Sequence, residues 1–239
     1  MDNYDYYLNS MGSDKGTSPI GAESSANGYG YLYSLIFEEY RNSATHICEI
    51  GVHEGSSLRA SQAFFNSAEI HGLDIADTSQ YETDRIKTHR VDQSSEVELI
   101  EFRENMKRKN IKFDIIIDDG SHDVSHQQLT FGLLFELVKP GGLYVLEDLG
   151  SSFFNEGVNL YGFVQTEAKT YFNTVNFLTN RPLRSPWIPE ETCQTIDSQI
   201  EHIITFDKVN RSLPYSISFS TINDYPIKSI TSIIKKNGN

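Results

Sequence analysis

Positive charge is scarce in this chain. Its 239 residues hold 20 Lys and Arg against 33 Asp and Glu, a formal net charge of −13 at pH 7. That balance argues against nucleic acid as a partner, because neutralising phosphates takes a basic face. It argues equally against docking on an anionic membrane surface. Long apolar runs are also missing, so no stretch reads as a bilayer span. The opening Met1-Asp-Asn-Tyr-Asp-Tyr-Tyr7 has neither the basic start nor the apolar stretch of a secretory signal. Cysteine is scarce, with only Cys48 and Cys193, and Cys48 sits inside an apolar run; buried thiols are expected rather than a disulfide framework. There is no internal repeat or low-complexity block. A cytoplasmic protein is the expectation.

What is present is a rhythm of apolar strands and helices. Residues 45–50, 69–75, 87–91, 113–117 and 143–146 read as strands, and residues 57–68, 96–109 and 125–138 as helices between them. Strands alternating with helices at this spacing predict βαβ units and a parallel sheet. Pro140-Gly-Gly142 reads as a turn before the fifth strand. The expected fold is α/β, a doubly wound, Rossmann-like, seven-stranded and mostly parallel sheet, closed by a C-terminal antiparallel hairpin over residues 200–206 and 215–221. Residues 1–30 read as an irregular lid and residues 31–235 as one domain. A helix is expected over 29–40 and another over 167–180, with a proline-rich loop over 181–191 and a frayed polar tail over 235–239.

The chemistry concentrates at strand ends. Asp114-Ile-Ile-Ile-Asp-Asp-Gly-Ser-His122 and Gly141-Gly-Leu-Tyr-Val-Leu-Glu-Asp148 each run from apolar residues into two adjacent acids. Adjacent parallel strands put their carboxyl ends on one edge, where ligands bind. Asp118, Asp119, Glu147 and Asp148 are therefore expected to meet, with His122 just beyond. Carboxylates so gathered repel one another unless a cation sits among them. A metal site with a base beside it is the reading.

A second group follows the first two strands. In Glu49-Ile-Gly-Val-His-Glu-Gly-Ser-Ser57, Gly51 and Gly55 allow a tight turn and a close ligand approach, and Ser56 and Ser57 can cap the next helix. The loop lacks the Gly-x-Gly-x-x-Gly spacing of dinucleotide sites and no Walker lysine follows, so nicotinamide and ATP lose ground. Asp74 is placed to accept from a ribose diol, or to act as a cap or a surface charge. Asp92-Gln93 could read an adenine edge. Asp14 and Lys15 belong to a lid or to an exposed turn, and Trp187, Tyr161 and Phe163 to a sugar pocket or to the core. His126 reads as structural or as a support behind the site residues, while His46, His53, His71, His89 and His202 have no functional context in the sequence.

Glu49-Ile-Gly51, Gly72-Leu-Asp-Ile75, Asp92-Gln93, Phe113-Asp-Ile-Ile-Ile-Asp-Asp119 and Pro140-Gly-Gly142 together resemble the class I S-adenosylmethionine-dependent methyltransferases. More narrowly, Gly12-Ser-Asp-Lys-Gly16, Ile117-Asp-Asp-Gly-Ser-His122, His126 and Leu146-Glu-Asp-Leu149 resemble the metal-dependent sugar O-methyltransferases of the mycinamicin type. The cephalosporin-modifying methyltransferases are similar relatives. The resemblance implies magnesium on Asp119, Glu147 and Asp148, and His122 as catalytic base. It implies S-adenosylmethionine near Glu49, Gly51, Gly55, Ser56, Asp74, Asp92, Gln93 and Asp118. Hard oxygen ligands suit magnesium, and the lack of a Cys/His cluster in the motif agrees. The expected substrate is a sugar or glycoside with adjacent hydroxyls, in antibiotic or surface-glycan biosynthesis, and a homo-oligomer is the expected assembly. Two rivals stay open: a metal-dependent hydrolase or lyase using the same edge, and a non-catalytic S-adenosylmethionine-binding subunit.

Overall fold

The structure, a computed structural model, describes residues 2–21, 26–149, 174–179, 181–207 and 230–238. Its strands are β1 (His46–Ile50), β2 (Glu69–Asp74), β3 (Ile86–Arg90), β4 (Phe113–Asp118), β5 (Val138–Leu146), β6 (Ile200–Asp207) and β7 (Ile230–Lys236). They form one sheet in the order β3-β2-β1-β4-β5-β7-β6. The helices are α1 (Tyr4–Ser10), α2 (Gly30–Ile36), α3 (Ser56–Phe64), α4 (Glu96–Arg108), α5 (Val124–Leu134), α6 (Thr174–Thr179) and α7 (Glu190–Gln199). This is the expected α/β architecture, mostly parallel with an antiparallel C-terminal end. Among the described residues no helix is long and apolar enough to cross a membrane.

The chain divides into two compact units, Met1–Asp92 with Phe113–Ile116, and Gln93–Lys112 with Ile117–Asn239. In the first, β1 and β2 run parallel with His46 opposite Glu69 and Ile50 opposite Leu73, and β3 continues with Asp74 opposite Arg90. Ile47, Cys48, Ile50, Ile70 and Leu73 are buried, as strands covered on both faces require. The segment read as irregular contains α1, started by the Asn3 side chain accepting from Tyr6 N at 2.9 Å. Tyr4 is fully buried, 5.0 Å from Phe64 and 5.4 Å from Phe37 between ring centroids, and its hydroxyl pairs with Ser61 Oγ at 2.7 Å.

In the second unit, Ser95 caps α4, acids fill its first turn and Lys107 and Arg108 its last, which complements the helix dipole. Leu99, Phe102 and Met106 form its buried stripe. β5 begins at Val138, so Pro140-Gly-Gly142 lies inside the strand instead of before it, with Gly141 at φ +75°.

The closing antiparallel pair also differs from expectation. β6 starts where expected, but it pairs with β7, Ile203 opposite Ile234 and Phe206 opposite Thr231, and β7 pairs with β5. Residues 215–221 lie outside the described residues. The expected frayed tail is corrected at Lys235 and Lys236, which end β7. Lys236 lies along the core with its Nζ donating to Phe135 O at 3.1 Å, an aliphatic stem burying while the amine keeps a partner.

Candidate active site

In the second unit, two strand ends bring the acids together. Glu147 N donates to Asp118 O at 2.9 Å, lacing the end of β4 to the end of β5. Asp118 is 1% exposed, and burial, with the adjacent Asp119 charge, pushes its pKa up to about 7 against the hydrogen bonds it accepts. Those bonds come from Gln93 Nε2 at 2.7 Å and from Gly120 N and Tyr144 OH at 3.4 Å each.

His122 at φ +58° and Asp148 at φ +52° both occupy the left-handed region. That conformation costs a residue with a Cβ about 1–2 kcal/mol, and it turns the two side chains toward each other. His122 Nε2 lies 4.0 Å from Asp119 Oδ1 and 3.8 Å from Asp148 Oδ2. One ligand atom from each of Asp119, His122 and Asp148 lies within 4.8 Å of the others, a group able to hold a cation. Glu147, expected as a third carboxylate ligand, is fully buried and stands outside this group.

The loop carrying His122 is held on both flanks. Gln93 Oε1 accepts Ser121 N at 2.8 Å, and Ser121 Oγ meets His126 Nδ1 at 2.8 Å. Asp123 caps α5, its Oδ1 accepting Ser125 N at 2.8 Å. His126 thus pairs with the loop that carries His122. Gln93, expected at an adenine edge, straps the end of β4 to the Gly-Ser-His loop. Sequence reasoning missed Gln127, which is 1% exposed and donates from Nε2 to Glu147 O at 3.2 Å while accepting from Thr174 Oγ1 at 2.9 Å. An amide among Val124, Phe131 and Leu134 on the buried side of α5 was the signal, because a buried polar group must be bonded.

In the first unit, the loop after β1 turns at Gly51 (φ +90°) and again at Gly55 (φ +69°), and Gly51 N donates to Leu73 O at 2.8 Å. A Cβ at Gly55 would stand 2.8 Å from the Tyr81 ring. Asp74, expected to meet a ribose, holds this loop. Its Oδ2 accepts Val52 N at 2.8 Å and His53 N at 3.2 Å, and its Oδ1 accepts Ala76 N at 2.9 Å. The expected serine cap of α3 is corrected. Left-handed Gly55 is the N-cap, no side chain caps the helix, and Ser56 Oγ accepts from Arg59 Nη2 at 3.1 Å.

Glu49 at the end of β1 is 1% exposed and faces Lys15, 2% exposed, with Nζ 3.6 Å from Oε1. Lys15 therefore points inward, while Asp14 is exposed and Asp92 half-buried. Trp187 is half-buried; Tyr161 and Phe163 lie outside the described residues.

Residues 48–149 match the family described as a methyltransferase domain. The chain is 41% identical over 128 residues to the mycinamicin VI 2''-O-methyltransferase of Micromonospora griseorubida, a match covering 51% of this chain and 31% of that protein. It is 36% identical over 132 residues to the 8-demethyl-8-alpha-L-rhamnosyl tetracenomycin-C 2'-O-methyltransferase of Streptomyces olivaceus, covering 52% and 34%. Among solved structures, the MycE methyltransferase of the mycinamycin pathway, in complex with Mg, SAH and mycinamycin VI, superposes with a TM-score of 0.66 at 25% identity. That superposition covers 97% of this chain and 54% of MycE, so the chain spans about half the length of this relative. Residues 48–149 of this chain are thus similar to a methyltransferase domain.

Proposed function

We propose that this chain transfers the methyl group of S-adenosylmethionine to a hydroxyl of a sugar or glycoside that carries a neighbouring hydroxyl, assisted by a divalent ion. The observation that carries the reading is the convergence of Asp119, His122 and Asp148. Support comes from relatives whose names specify 2''-O- and rhamnosyl 2'-O-methylation, and from a solved relative holding Mg and SAH.

The residues fit both groups. Two carboxylate oxygens facing one point are hard donors of the kind magnesium takes. The loop after β1, turned at Gly51 and held in shape by Asp74, is the segment assigned to the cofactor. S-adenosylmethionine supplies an electrophilic methyl group, and a divalent ion acidifies a hydroxyl that it touches.

The chain's own residues do the rest. Asp119 and Asp148 hold the ion and fix where the substrate oxygens sit. His122 Nε2 takes the proton of the attacking hydroxyl. Nε2 stands 4.0 Å from Asp119 Oδ1 and 3.8 Å from Asp148 Oδ2, beside the point where the ion would sit. Glu147 is left out of the donor set. Asp119 and Asp148 would hold a hard ion with His122 Nε2 kept as base, whereas Asp119, Asp148 and His122 together would hold a zinc-class ion.

The test uses methyl-deuterated S-adenosylmethionine and a panel of deoxysugar glycosides, with Mg2+ or with excess EDTA, read by mass spectrometry. One labelled methyl per acceptor with Mg2+ alone is expected. Equal labelling in EDTA discards the metal, and cofactor binding without labelling of any acceptor discards the transferase.

A further inference from the structure

We propose a second metal site, for a zinc-class divalent ion, at the amino-terminal ends of β1 and β2, built from His46, Glu69 and His71. It stands at the opposite strand ends from the loop that Asp74 holds, and the methyl-transfer reading does not depend on it. The parallel register sets His46 directly opposite Glu69, and His71 follows Glu69 by two residues. Register partners and i, i+2 neighbours share one face of a sheet. One ligand atom from each of the three lies within 4.8 Å of the others.

The surroundings orient these side chains as a metal site requires. His71 is 2% exposed; its Nε2 lies 2.9 Å from Glu69 Oε1 and its Nδ1 3.0 Å from His89 Nε2. The His71 and His89 rings are 3° from parallel. With its proton on Nδ1, His71 donates to His89 and turns an Nε2 lone pair toward a carboxylate oxygen. Two acceptors then face each other, and a cation between them resolves the arrangement. His89 is a positioning residue, fixing tautomer and ring as outer partners of metal-bound histidines do.

The Phe113 ring meets His71 edge-on with centroids 5.3 Å apart. The Asp114 carboxylate accepts Thr45 N at 2.7 Å and His46 N at 3.0 Å, which fixes the backbone of His46. Two imidazoles and one carboxylate suit zinc, with a fourth position for water, and do not suit magnesium. Glu69 and His46 are partly exposed, so an ion can reach the site. Bound there, it clamps the start of β1 to the start of β2.

The test is calorimetry with ZnCl2 alone on the full chain after EDTA treatment and desalting, beside absorption spectra with CoCl2 alone. The wild type takes up zinc, and cobalt gives the intense visible bands of a tetrahedral ion. Asp119→Asn, which disables the other cluster, keeps one zinc equivalent. Adding His46→Gln or Glu69→Gln to Asp119→Asn removes it, and His89→Ala weakens binding about tenfold. Circular dichroism verifies that each variant is folded. No uptake by the wild type, leaving Glu69 and His71 a simple ion pair, overturns the site. So does uptake that Asp119→Asn abolishes and His46→Gln leaves alone.

Discussion

Gln93 donates from Nε2 to Asp118 at 2.7 Å and accepts the amide of Ser121 at 2.8 Å, so one side chain fixes both the end of β4 and the loop that carries His122. Gln93→Ala leaves a nearly fully buried carboxyl with only its two 3.4 Å donors. Losing the partner of a buried polar group costs about 1–3 kcal/mol. A lower urea midpoint is therefore expected, together with weaker turnover, because the His122 loop loses its strap. Coincident denaturation curves for Gln93→Ala and wild type would show that the strap holds nothing.

Asp119 and Asp148 repel one another when no cation lies between them. Asp148→Asn is thus expected to leave the metal-free protein as stable as wild type or slightly more so. On the proposed reading Mg2+ raises the melting temperature of the wild type by mass action, and Asp148→Asn should abolish that rise. Thermal melts with and without Mg2+ read both effects at once. A full Mg2+ shift surviving in Asp148→Asn removes this residue from the donor set.

His122 carries two separable costs, one chemical and one conformational. Without a base, kcat falls about 10²- to 10⁴-fold in both His122→Ala and His122→Gly. The two variants part in stability. Alanine at φ +58° keeps the left-handed penalty and glycine does not, so His122→Gly is expected to be the more stable by about 1 kcal/mol. Alanine melting at or above glycine would deny the strain, and retained turnover in either would remove the base.

The strands that could be read directly are those buried on both faces. Ile47-Cys48 in β1 and Ile115-Ile-Ile117 in β4 are apolar without a break, and such runs have few other uses. β7 escaped notice because Ser232 and the closing Lys235-Lys236 look solvent-facing; Ser232 and Lys236 become interior, and Lys235 half-buried, only through pairing with strands distant in sequence. In the site, the doublets Asp118-Asp119 and Glu147-Asp148 were visible, but which member of the second pair stands beside His122 was not. That choice is made by backbone angles at Asp148 and His122, which residue identity does not encode. His46, Glu69 and His71 carried no local signal either, since only the parallel register makes them neighbours.

Asp74 holds three backbone amides, those of Val52, His53 and Ala76, and so keeps the glycine loop in shape. Asp74→Ala removes these acceptors at once. A loss of about 1–3 kcal/mol in stability is expected, with at least a tenfold weaker Kd for S-adenosylmethionine because the loop is no longer preformed. Asp74→Asn keeps one carbonyl oxygen and should lie between the two. Calorimetric Kd values equal across all three proteins would separate Asp74 from cofactor binding.

Lys236 ends β7 with its amine indoors, 4.9 Å over the Phe135 ring and bonded to Phe135 O. Burial holds its pKa down at about 8, with Lys112 adding repulsion and Glu136 opposing it. Unfolded, the amine titrates at its ordinary 10.5. Between these values the unfolded chain binds more protons than the folded one, so stability rises with pH across that window. Below about 8 both states are charged and the cost of burying the ammonium is felt in full. Lys236→Met keeps the apolar stem and removes the charge, so its stability should lack this upward slope. Urea midpoints from about pH 7.5 to 10 measure the difference. Parallel curves for the two proteins would return Lys236 to solvent.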